Sequence, residues 1–148
     1  MNRAGFQQLA ELRLQEAKAL FAADFPEGAY YLAGYAVECA LKACIAKRTR
    51  EHDFPEKKLV IDSHTHDLGK LLDLAGISDL LKNEVVRNVE LKLDWETVRD
   101  WSEQSRYELY DHQLYDGNPF GALHEAKLLI DAVESEKGGV LRWIRQSW

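Results

Sequence analysis

Apolar positions along this chain recur at helical spacing and stop at short stretches rich in proline, glycine or charge. From Arg3 to Ala22, Phe6, Leu9, Ala10, Leu12, Ala17, Leu20 and Phe21 alternate with charges, which predicts a first helix with an apolar inner face. Asp24-Phe25-Pro26-Glu27-Gly28 interrupts it, and so short a connection implies antiparallel packing against the next helix. That second helix is predicted over Ala29 to Lys47, AYYLAGYAVECALKACIAK, with no proline, a single glycine and room for about five helical turns. Tyr30, Ala33, Val37, Ala40, Leu41, Cys44 and Ile45 share one broad face, and Leu32, Tyr35, Cys39, Ala43 and Ala46 make the opposite side hardly more polar. A helix apolar nearly all round is buried on several sides, so this stretch is expected at the centre of a bundle.

The exception on that helix is a notch holding Tyr31, Glu38 and Lys42. Glu38 and Lys42 stand at i,i+4 in the favourable order, worth a few tenths of a kcal/mol on a solvated face. The other reading is a buried carboxylate kept to position a neighbouring helix or a bound group, because a charge is seldom held in an interior without a specific partner.

Thr49 to Asp67 loses the periodicity, with Pro55, three histidines and only a short apolar patch at Leu59 to Ile61. Ser63, Thr65 or Asp67 can cap a third helix, in which Leu68, Leu71, Leu72 and Ala75 repeat before Gly76 ends it. Ser78 can cap the next, with Leu81, Val85 and Val89 inward, and Asp94 starts a piece carrying Trp95, Val98 and Trp101. After Gly117-Asn118-Pro119, Pro119 suits the first position of a final helix with Leu123, Ala126, Ile130 and Val133 inward. Val140, Leu141 and Ile144 keep that phase across Gly138-Gly139, which predicts one long terminal helix. No stretch alternates as a strand does, so the expected architecture is an antiparallel up-and-down bundle of five to six helices in a single domain spanning residues 1–148.

Composition narrows the function. The 148 residues are 46% hydrophobic and 30% charged, as in soluble globular proteins. Met1 to Leu20 carries charges throughout and is no signal peptide, and no apolar run approaches a membrane span, so a cytoplasmic location is expected. Cys39 and Cys44 point about 140° apart on one helix and cannot pair with each other, which suits a reducing compartment. A formal charge of −6 argues against general DNA binding. The cations at Lys47, Arg48, Arg50, Lys57 and Lys58 cluster where they complement the end of the central helix.

Three segments resemble the HEPN domain family. YYLAGYAVECALKACIAK resembles its second helix, His64-Thr65-His66-Asp67-Leu68 its His-x-Leu approach to the third, and Trp101-Ser102-Glu103-Gln104-Ser105-Arg106-Tyr107 the Trp...Arg-Tyr segment before its last helix. In order, they cover most of the chain. The resemblance implies a helical module associated with nucleotide or RNA, homodimerisation, and a nucleotidyltransferase-type or antitoxin partner.

The family's ribonucleases resemble one another in an Arg and a His with four to six residues between them, and Arg106 and His112 have five. A histidine can move the 2′-hydroxyl proton and an arginine can stabilise the phosphorane, with no metal or cofactor. This makes Arg106 and His112 the candidate catalytic pair of a metal-independent endoribonuclease. Tyr107 after the Arg resembles the non-catalytic members instead. On that reading Glu38, Lys42, Tyr31, Arg106, Tyr107 and Tyr110 line a groove for nucleotide or a protein partner. Aromatics beside an arginine can stack a base while the guanidinium holds its phosphate. The third reading is a pure protein-interaction module. In the bland account, Arg106 pairs with a carboxylate such as Glu38 or Asp111, and His66 and Asp67 cap a helix rather than bind metal with His64.

Overall fold

A computed structural model of the chain describes residues 1–51, 56–107 and 121–148, and among these the secondary structure is entirely helical. The helices are α1 (Arg3–Ala22), α2 (Pro26–Glu51), α3 (Lys57–Asp62), α4 (Leu68–Leu74), α5 (Ser78–Arg87), α6 (Val89–Arg99), α7 (Ala122–Glu134) and α8 (Val140–Ile144), with a 3-10 turn at Glu103–Tyr107. The longer of them form the helical bundle that the periodicity predicts.

α1 opens on Asn2, whose side chain accepts from the Gly5 amide at 2.8 Å. Its deepest residues are Ala10, Leu14 and Ala17, while Leu12, expected inward, is exposed. Ala23 to Phe25 reverse the chain, with Asp24 at φ 66°, and Pro26 takes the first position of α2, where its missing N–H costs nothing.

α2 is the axle of the fold. Ala29, Ala33, Ala36, Val37, Cys39, Ala40, Leu41, Ala43, Cys44 and Ile45 are all buried on it, and α1, α4, α7, α8 and the 3-10 turn pack around it. Its many alanines let neighbours approach on every side, since interaxial distance depends on the side chains at the contact. Burial pushes the Cys39 and Cys44 thiols up to about 11. Both are free, and neither is a thiolate at neutral pH.

Several boundaries differ from expectation. α4 is capped by Asp67, whose carboxylate accepts from the Lys70 amide at 3.0 Å, and ends at Gly76 with φ 74° as predicted. Ser78 does not cap α5; Ile77 holds that position, and the Ser78 hydroxyl donates to Asp73. α6 begins at Val89 behind Asn88, whose side chain accepts from the Leu91 amide at 3.0 Å, so Asp94 lies mid-helix and Val89 faces solvent. α7 starts after Gly121, and Pro119 lies outside the described residues.

The predicted long terminal helix is two helices. α7 stops at Glu134, and α8 restarts at Val140 to bury Val140, Leu141, Trp143 and Ile144 in the same core. Seven-residue spacing between Val133 and Val140 therefore reports a shared core rather than one helix. The break is built by glycine: Gly139 sits at φ 40° and its amide donates to Asp94 at 2.9 Å, while the Gly138 backbone lies against α6. Desolvation raises the Asp94 carboxyl above its ordinary range, partly offset by the Gly139 amide. A Cβ on Gly138 would come within 2.1 Å of the Asp94 carboxylate and 3.0 Å of the Glu90 backbone. Gly138→Ala should therefore destabilise by about 1–3 kcal/mol. In a continuous helix the same change would stabilise by about 1 kcal/mol, so the sign of the shift in urea midpoint decides between them.

Candidate functional site

Glu38 is the one charged residue buried in the described core, with 1% of its surface exposed. Its carboxylate accepts from Lys42 Nζ at 2.7 Å, one turn along α2. The segment leading to α4 supplies the second partner: His66 Nδ1 lies 2.9 and 3.0 Å from the two Glu38 oxygens. The i,i+4 pair forms, but in the interior and not on a solvated face, and the carboxylate also contacts the segment before α4. His66 was expected to cap the helix; Asp67 does that, and His66 turns back onto α2. His64 lines a separate cleft of about 340 Å³ with Arg3, Phe6, Lys42 and Ile45, so His64, His66 and Asp67 serve three different tasks.

The other ring nitrogen of His66 faces the 3-10 turn, with Nε2 3.2 Å from Glu103 Oε2. Carboxylates only accept, so Nδ1 is the donor to Glu38, and Glu103 lies within ion-pair distance of the other nitrogen. Neither residue was joined to Glu38 by the sequence. The signal for His66 was its place in the His-x-Leu segment, and Glu103 gave none beyond its place between Trp101 and Arg106.

The 3-10 turn is seated by Trp101, which is buried and covers Gly34 of α2. Tyr31 stacks on Tyr35 with ring centres 5.9 Å apart and meets Trp101 at 6.0 Å. This aromatic seat carries Arg106 and Tyr107 at its outer edge. The Arg106 guanidinium lies 4.7 Å from the Tyr107 ring centre and shares a hydrogen bond with Tyr31. Arg106 does not reach Glu38; its carboxylate neighbour is Glu103, at 3.9 Å. Desolvation lowers its pKa, but Tyr107, the Tyr31 bond and Glu103 outweigh that and raise it. Tyr107 is 69% exposed, which leaves a ring face open beside a permanent cation.

Of the residues expected to line one groove, Tyr31, Arg106 and Tyr107 meet directly, and Glu38 and Lys42 join them through His66 and Glu103. Tyr110 and His112, with Asp111, lie outside the described residues. A cleft of about 450 Å³ opens beside the cluster, lined by Thr65, His66, Arg99, Trp101, Glu103 and Gln104 among others. Among the described residues, no three histidines, cysteines or carboxylates converge as metal ligands, and no helix is long and apolar enough to cross a membrane.

Among the described residues, the bundle holds Arg106 and the exposed ring of Tyr107 at the edge of the Tyr31–Trp101 seat. The model of the HEPN domain matches residues 6–136, and the chain belongs to that family. α8 falls beyond the matched residues although it completes the core. No curated protein and no solved structure matches the chain.

Two changes test this construction. A Cβ on Gly34 would stand 2.3 Å from three indole carbons of Trp101, so Gly34→Ala should unseat the 3-10 turn, costing about 1–3 kcal/mol in thermal or urea unfolding and exposing the Trp101 fluorescence to quencher. Glu38→Leu should cost about 2 kcal/mol, below the usual figure for breaking a buried pair because Lys42 and His66 can turn toward water. Adding Lys42→Met should recover part of that loss, a coupling of about 1 kcal/mol in a double-mutant cycle.

Proposed function

We propose that this HEPN domain binds single-stranded RNA or nucleotide through Arg106 and Tyr107, the guanidinium taking a phosphate and the ring stacking a base. The observation that carries this reading is the exposed cation and ring of Arg106 and Tyr107, held over Tyr31 and outside any buried carboxylate pair. An arginine fork suits phosphate, and base stacking tolerates any sequence. Family membership supports the general class of ligand. Homodimerisation and a nucleotidyltransferase-type or antitoxin partner belong to the same proposal and rest on the family alone.

The rival reading, metal-independent cleavage with His112 moving the proton, uses the same arginine. One experiment separates the two. Anisotropy of a fluorescein-labelled single-stranded RNA 12-mer in EDTA should report binding by the wild type, with Arg106→Ala and Tyr107→Ala each weakening it about tenfold while circular dichroism shows both folded. Gels of the same mixtures should show the RNA intact. Cleavage lost in Arg106→Ala and His112→Ala would transfer the assignment to a ribonuclease, and absence of binding and cleavage in the wild type would overturn the proposal.

A further inference from the structure

Glu103 Oε2 lies 3.2 Å from His66 Nε2 and 3.9 Å from Arg106 Nη2. His66 and Glu103 differ in how they are held. His66 is anchored at Nδ1 by Glu38, which is buried in α2. Glu103 has no buried partner: its ion-pair neighbours are the part-exposed His66 and Arg106. A carboxylate oxygen within ion-pair distance of an imidazole and a guanidinium stands where a phosphate oxygen could stand, since both anions attract the same groups. The cleft beside it is lined by Thr65, Ser102, Gln104 and Arg99, which offer hydroxyl, amide and guanidinium groups, and by the Asp67 carboxylate; Arg106 stands outside that lining.

We infer that Glu103 is an internal competitor for a phosphate seat formed by His66 and Arg106, so that a phosphate-bearing ligand binds by displacing it. The inference rests on the nucleotide- or RNA-binding reading and adds a residue that limits affinity and a second group, the His66 imidazole, that supplies it. Lys42 contributes indirectly: with its ammonium on Glu38, the buried carboxylate is already served on one side, and the imidazole is left to face the seat. Release of Glu103 removes one like charge from the approach of the ligand, with the His66 imidazole and the Arg106 guanidinium left in place.

The test titrates the labelled single-stranded RNA 12-mer into wild type, Glu103→Gln, Glu103→Asp and Asp79→Asn, the last a charge-matched control on exposed α5. Glu103→Gln should bind about fivefold more tightly than wild type, the scale of removing one charge-assisted competitor. Asp79→Asn should change binding by less than about twofold, and Glu103→Asp, which keeps the carboxylate, should stay nearer to wild type than Glu103→Gln does. His66→Asn keeps a donor for Glu38 but removes the imidazole Nε2 from the seat, and in that background the gain from Glu103→Gln should vanish. Binding by Glu103→Gln no tighter than by Asp79→Asn, with wild type binding RNA, would overturn this inference alone. Absence of binding in every variant would overturn the functional reading and this one together. Binding that appears only once Glu103 is changed would support the competitor role of Glu103 and overturn the functional reading of the wild type.

Discussion

A carboxylate with 1% of its surface exposed has to be paired, and in this protein the pairing of Glu38 decides where the surrounding elements go. Lys42 alone would satisfy the charge from within α2, but it leaves one side of the carboxylate open. His66 closes that side, and in doing so pins the chain segment before α4 against the middle of the central helix. The second ring nitrogen then reaches Glu103 and ties in the 3-10 turn. Three segments distant in sequence are thus fastened through one buried anion, and the surface groups Arg106 and Tyr107 inherit their positions from it.

The second constraint is steric. α2 carries alanine or glycine where a larger residue would hold its neighbours off, and at Gly34 the space is taken by the indole of Trp101. The apolar contact places the 3-10 turn, while the polar contact through His66 orients it. Burial of Trp101 without the ion pairs would leave the rotation of the turn unspecified; the ion pairs without the indole would be exposed charges of little worth.

This division explains what the sequence disclosed. α1, α2 and α4 were readable because their apolar periodicity and their stop signals, Pro26 and Gly76, act within a few residues. The ends of α5 and α6 were misplaced because Val89 continues the apolar spacing although it faces water, and the true cap, Asn88, lies in a run without an evident break. The terminal helix was read as continuous because helical phase cannot distinguish one helix from two that bury the same core; the deciding contact, Gly139 to Asp94, spans 45 residues. For the site, Glu38, Lys42, Tyr31, Arg106 and Tyr107 were visible as a polar notch and a cation among aromatics. The link between them was not, because His66 and Glu103 become partners only when the turn before α4 and the 3-10 turn are brought to the same face of α2.

The shared network also bears on how such a protein can change over evolutionary time. Glu38, Lys42, His66 and Glu103 form one electrostatic unit, so loss of any member exposes the others to an unmatched charge. Drift at these four positions should proceed by joint replacement, and a lineage that abandons the buried carboxylate would be released from the histidine and the lysine as well. The outer pair, Arg106 and Tyr107, touches that unit only through Glu103. Ligand preference can therefore diverge between relatives while the internal anchor beneath it is inherited unchanged.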